Sequence, residues 1–207
     1  MEKAQGTIIG FILITAIAIV IVSVTLFWAA PLLEESRNQI EIQRLEQKML
    51  ELHDTIEKTA AQQGRLSLPL PIGKGTINLD SNSNSILFKS QLGTNPIPCK
   101  NLFRDITCSD VLAGQGEGGI IGVNESAILL EQESVEFNLH YRFLTNADES
   151  KCFRIKLAPG WQTTAGTGRH TVFATWLQEN ITLAPGLPTG CGDAANLTEQ
   201  LVEFNVE

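Results

Sequence analysis

Hydrophobic positions along the chain fall into three regimes. From Gly6 to Ala30, GTIIGFILITAIAIVIVSVTLFWAA, no residue is charged and the only polar side chains are Thr7, Thr15, Ser23 and Thr25. At 1.5 Å per residue this run makes a helix of roughly 37 Å, enough to cross a hydrocarbon layer about 30 Å thick with some tilt. A soluble core helix is rarely apolar on every face, so the run predicts a membrane-spanning helix. A secretory signal that is removed fits worse. Its apolar region runs to about 7 to 15 residues, and the bulky Trp28 stands where a cleavage site needs a small side chain.

The second regime is amphipathic. Leu32 to Gln63 contains no glycine or proline and is rich in Glu, Gln, Lys, Arg and Leu, which predicts that the helix continues into water. Pro31 removes one backbone hydrogen bond and crowds the carbonyl four residues back, predicting a kink near Thr25 to Phe27 rather than a break. Ile42, Leu45, Met49, Leu52 and Ile56 recur at spacings of 3, 4, 3 and 4, which puts them on one seam. Two heptads fall short of the three or four that define a coiled coil. Two readings of the seam therefore stay open: packing against the chain's own β region, or packing against neighbouring subunits. Gly64 is the expected C-cap.

From Arg65 the period changes to two. Leu66, Leu68 and Leu70 alternate with Ser67 and Pro69, and Thr76 to Leu79 and Ile86 to Phe88 flank the polar turn Asp80 to Ser85 as a hairpin. Further strands are expected at Gly119 to Val123, Ala127 to Leu130, Val135 to Phe143, Cys152 to Leu157, His170 to Leu177, Ile181 to Leu183 and Leu201 to Val206. In the clearest of them Val135, Phe137, Leu139 and Tyr141 alternate with Glu136, Asn138 and His140, giving one apolar and one wet face. The expected class is α+β: a long N-terminal membrane-spanning helix, an amphipathic extension, then an antiparallel β-sandwich-like head. The divisions are a leader at 1–4, the membrane helix at 5–30, the helical extension at 31–64 and the head at 65–207.

Charge and cysteines refine this layout. The 207-residue chain has a net charge of -8. Residues 1–64 hold 5 basic and 8 acidic groups and the remainder 10 basic and 15 acidic, a balance that excludes nucleic acid as partner and disfavours anionic headgroups. Cys99, Cys108, Cys152 and Cys191 all lie in the head, which reads as two disulfides. Of the three possible pairings, Cys99 with Cys108 and Cys152 with Cys191 is the simplest. Zinc is the competing reading, but Cys99 and Cys108 lack C-x2-C spacing. Asn124-Glu125-Ser126, Asn180-Ile181-Thr182 and Asn196-Leu197-Thr198 are acceptor triplets for N-glycosylation. With Lys3 before the apolar run, these features imply an N-terminus inside and a head outside the cell.

At the start of the chain, Lys3-Ala4 precedes Gln5-Gly6-Thr7 and the apolar helix. A basic residue, a small residue, then Gln-x-Ser/Thr entering a hydrophobic helix resembles the class III signal of archaeal type IV pilins and archaellins. The resemblance covers about 25 residues of motif and helix, plus the layout of a long N-terminal helix with a C-terminal β head. It implies cleavage by a prepilin peptidase between Ala4 and Gln5, residence in the membrane before assembly, and then a helical filament of copies of the same chain. Gly10, Ile42, Leu45, Met49, Leu52 and Ile56 would be assembly positions, with close helix approach at Gly10, Ala16, Ala18 and Ser23. Ile9 stands at the fifth position after the cut, where many members carry glutamate. That departure belongs to a second reading, a single-span anchor presenting an extracellular head in a stator-like, surface-layer-binding or adhesive role.

Candidate chemistry is sparse. Gly114-Gln115-Gly116-Glu117-Gly118-Gly119 has no lysine, carries a repelling Glu117 and leads into a strand rather than a helix, so it reads as a turn and not a phosphate loop. His53, His140 and His170 are scattered without ligand-like spacing. Asp80, Asn82 and Asn84 alternate as oxygen donors, but a calcium site needs a further carboxylate. Trp161 and Trp176 are core residues or, in an adhesive head, sugar platforms. No Gly-x-Ser-x-Gly elbow, His-Glu-x-x-His helix or clustered carboxylate pair occurs. Neither an enzyme nor a cofactor is expected.

Overall fold

The structure, a computed structural model, describes residues 2–90, 100–101, 125–132, 136–184 and 186–207. It divides into two compact units, Met1–Gln43 and Arg44–Glu207. One helix, α1 (Glu2–Gln62), runs through both and continues past Pro31 without a break. The division falls within the expected helical extension rather than at its end. The last five turns of α1 belong to the head, because Leu45, Met49, Leu52 and Ile56 are at most 3% exposed.

The helix closes on Gln63 rather than Gly64. Gln63 takes the left-handed conformation at φ 52°, and the Gly64 N–H donates back to the Thr59 carbonyl at 3.3 Å, the six-residue closure of a Schellman cap. The Gly64 carbonyl in turn accepts the Trp176 N–H at 2.8 Å, so the cap delivers the chain onto the sheet.

The described strands are β1 (Arg65–Ile72), β2 (Gly75–Asp80), β3 (Ser85–Ser90), β4 (Lys100–Asn101), β5 (Ala127–Gln132), β6 (Glu136–Tyr141), β7 (Leu144–Thr145), β8 (Lys151–Pro159), β9 (Thr164–Ala165), β10 (Gly168–Leu183) and β11 (Asn196–Val206). They form two sheets with the orders β1-β10-β11-β8-β7 and β4-β5-β6-β3-β2-β9. The β2–β3 hairpin sits where the alternation predicts it, and Phe137, Leu139 and Tyr141 are fully buried on one face of β6. The expected strand at Gly119 to Val123 lies outside the described residues.

Two features depart from the sequence reading. The first sheet is mixed, not antiparallel: β11 pairs with β8 in parallel from Asn196↔Lys151 to Phe204↔Pro159. Alternation defines a strand's faces but not its direction. Here the chain leaves β8, passes through β9 in the other sheet and β10, and re-enters beside β8 from the same end. The disulfide between Cys152 and Cys191, with Cα atoms 5.5 Å apart, fastens the short 3-10 turn Thr189–Cys191 to the start of β8, adjacent to the Leu197↔Cys152 pairing. The second departure is β10, expected as two strands but continuous. It bulges between Trp176 and Gln178, which leaves Leu177 without a register partner, and then pairs on to Leu183. Residues 177–183 carry almost no buried side chain, so no burial rhythm marks them as strand.

Asn84 joins the two sheets. It sits at φ 56°, a region asparagine tolerates better than most residues, and is 2% exposed. Its amide nitrogen donates to the carbonyls of Tyr141 (3.0 Å) and Ile155 (2.8 Å), and its amide oxygen accepts the Leu157 N–H at 2.7 Å. The expected series of oxygen donors at Asp80, Asn82 and Asn84 is therefore broken, because the Asn84 oxygen points inward. Asp80 instead organises its own turn, accepting from the Asn82 N–H at 3.0 Å and the Ser83 hydroxyl at 2.8 Å, which holds its carboxyl below the usual range. Asn84→Ala would strip partners from three buried backbone groups, an expected loss of about 3 kcal/mol. A urea midpoint shift worth less than about 1 kcal/mol would show that other groups replace the amide.

Candidate assembly surface and the His53 cluster

The upper half of α1 carries one continuous apolar surface. All fourteen large hydrophobic side chains from Ile12 to Leu33 are exposed, from 52% at Ile17 to 81% at Phe27. Two of the polar groups are turned back onto the helix: Ser23 Oγ donates to the Ile19 carbonyl and Thr25 Oγ1 to the Ile21 carbonyl, each at 2.8 Å. That is how hydroxyls are accommodated where water is absent. Phe27, Trp28, Pro31 and Leu32 line a shallow apolar recess at the C-terminal end of the apolar run. This helix is long and apolar enough to cross a membrane.

The processing positions Lys3, Ala4 and Gln5 and the assembly positions expected from the sequence divide. Lys3, Ala4, Gln5 and Gly10 lie in the first turns of α1. Ile42 is half-buried. Leu45, Met49, Leu52 and Ile56, by contrast, are enclosed by the head of their own chain, which corrects their assignment to assembly. At these four positions the seam packs inward, and they offer no surface to a neighbour.

Beside that buried seam, the structure brings together residues that the sequence keeps far apart. His53 is 4% exposed. Its Nδ1 lies 3.4 Å from the Tyr141 hydroxyl on β6, and its Nε2 faces two carboxylates, Glu57 at 3.9 Å and Glu125 at 3.6 Å. Glu57 follows His53 by four residues and so shares its helix face. Its other oxygen accepts the Ser126 hydroxyl at 3.1 Å. Glu125 is positioned through its backbone: its carbonyl accepts from Arg142 Nε at 2.8 Å, while the Arg142 N–H donates to the Ser126 carbonyl at 3.2 Å.

Burial holds the imidazole below the usual histidine range, opposed by the charges of Glu57, Glu125 and Asp54. Burial also pushes the Tyr141 phenol well up, reinforced by Glu57, so the ring meets a neutral hydroxyl on one side and carboxylates on the other. Of the three histidines, which have no ligand-like spacing in the sequence, His53 is the one that the fold sets beside two carboxylates. The i, i+4 pairing with Glu57 is legible in the sequence, whereas Glu125 enters there only as the middle of a glycosylation triplet.

The remaining predicted sites are distributed as follows. Cys152 and Cys191 are joined, and Cys99 and Cys108 lie outside the described residues, as do Asn124 and the glycine-rich segment from Gly114 to Gly119. Asn180 and Asn196 are half-buried strand residues, on β10 and at the start of β11, rather than loop positions. Trp161 is 68% exposed. Trp176 is half-buried, its indole N–H donating to Gln200 Oε1 at 2.6 Å while Gln200 donates to Glu179, so it serves as a strand cross-link. Comparison with family models, with curated proteins and with solved structures finds no match for this chain.

Proposed function

We propose that the protein is a structural subunit of an extracellular type IV pilus-like filament of the archaeal kind, assembling through its N-terminal helix. The observation that carries this reading is the contrast between the two units. The head encloses most of its described apolar residues from Leu45 onward, with Trp161, Leu177, Ile181 and Leu183 its exposed large ones, while the helix leaves every large apolar side chain from Ile12 to Leu33 uncovered. So large an apolar surface needs a bilayer or other copies of itself. Moving the helix from lipid into a bundle of identical helices exchanges one apolar environment for another, so packing rather than water exclusion sets the specificity. The exposed small residues Ala16 and Ala18 allow close approach.

In this reading the two sheets form a pilin-like sandwich on the filament's outer face, outside the cell, and the chain works by assembly rather than by catalysis. A single-span anchored head is the alternative. It is favoured by Ile9 at the position where many of the resembling proteins carry glutamate.

The mass of the N-terminal peptide separates the two. Filament assembly predicts material sheared from the cell surface that begins at Gln5. An intact Met1 found only in the membrane fraction would overturn the filament and leave the anchor.

A further inference from the structure

The His53 cluster has the composition and spacing of a metal centre. One donor atom from each of His53, Glu57 and Glu125 lies within 4.8 Å of the others. The separations of 3.9 Å and 3.6 Å between Nε2 and the two carboxylates exceed direct hydrogen-bond length. Zinc at about 2.0 to 2.1 Å from each donor in a tetrahedron would place ligand atoms about 3.3 to 3.4 Å apart. The two histidine–carboxylate separations therefore need about half an ångström of contraction or less to close on an ion, and the two carboxylates, within 4.8 Å of each other, would move together by up to about 1.5 Å.

We propose that His53 Nε2, Glu57 and Glu125 bind one zinc ion, with water in the fourth position. The supporting groups are already in place. The Tyr141 hydroxyl lies against Nδ1, where a partner fixes ring orientation and tautomer, and Ser126 holds the second oxygen of Glu57. The two carboxylate side chains are 47% and 52% exposed while the imidazole is buried. An ion therefore enters from solvent, keeps one open face and sits against the head. An imidazole donor selects zinc over calcium, whose ligands are oxygens. The ion would pin the segment leading into β5 to the buried half of α1, a role independent of whether the helix ends in a filament or a membrane.

The test uses the full chain in detergent micelles, stripped with chelator and titrated with zinc against a chromogenic competitor, then with cobalt(II) read by its visible spectrum. One zinc per chain is expected, together with the intense absorption of four-coordinate cobalt. Glu57→Gln and Glu125→Gln keep size and hydrogen-bonding capacity at half-exposed positions, and each should weaken zinc binding more than about tenfold. His53→Ala is the less informative variant, since it opens a buried position. Failure of the wild-type chain to bind zinc overturns the proposal. So does zinc retained at unchanged affinity in the double glutamine variant, or calcium bound as tightly as zinc.

Discussion

Replacing Leu52 and Ile56 together with alanine is expected to leave the head at the edge of unfolding. Both side chains have no exposed surface, and each truncation in a closed core removes transfer energy and leaves a cavity, at about 2 to 5 kcal/mol apiece. Domains of this size are stable by only about 5 to 15 kcal/mol, so the sum is comparable with the whole. The measurement is a urea titration of the detergent-solubilised chain, followed by resistance of the head to trypsin. Ile19→Ala supplies the contrast: it removes as many atoms as Ile56→Ala from a side chain 61% exposed in the other unit, and the head's midpoint should not move. If the double variant shifted the midpoint by less than about 1 kcal/mol, the lower turns of α1 would be a lid on the head and not part of its core.

That experiment also addresses what the 3, 4, 3, 4 spacing could and could not say. Periodicity shows that Leu45, Met49, Leu52 and Ile56 want a common apolar partner, and it carries no label for whether that partner is the same chain. The answer comes from long-range contacts: His53 against Tyr141, Ser126 against Glu57, and the Gly64 carbonyl against Trp176. The same limit governs the sheets. Alternation at Phe137, Leu139 and Tyr141 is legible because one face is buried and the other is not. The parallel β8–β11 pairing is invisible because direction leaves no mark on a side-chain pattern. The far half of β10 escaped for a different reason: past Trp176 its side chains are almost all exposed, and Gln178, Glu179 and Asn180 read as a break.

Polar residues were harder still, because their role depends on which way they point. Asn84 sits in a run of Asn and Ser that looks like an ordinary turn, yet its amide is the group that ties Tyr141 to Ile155 and Leu157. The His53 cluster combines a legible half, the i, i+4 pair with Glu57, and a hidden half. Glu125 is 72 residues further along, brought in by the fold with its backbone carbonyl held by Arg142. Sequence spacing finds ligands that share an element; it is blind to those assembled by a fold.

Removing the Cys152–Cys191 disulfide with a double alanine variant is expected to cost about 4 kcal/mol, from the lost constraint on the unfolded chain for a cross-link spanning 39 residues. Alanine is the better replacement because both cysteines are 1% exposed and a serine would bury an unneeded hydroxyl. Mutation is also cleaner than reduction, since it leaves Cys99 and Cys108 untouched. The effect should be uneven. Both cysteines belong to a small cluster with Phe143, Ala194, Leu197 and the partly buried Leu187, at the end of the head where β8 and β11 begin their parallel pairing. Without the cross-link, the chain before Asn196 must find that register from a long crossover, with only this cluster to guide it. Amide exchange should therefore accelerate first around 187–198 and at Lys151 to Phe153, while β3 and β6, paired in the other sheet, stay protected up to the global unfolding limit. Uniform acceleration across both sheets would instead mean that the disulfide acts only through the unfolded state and has no part in holding the parallel pair together.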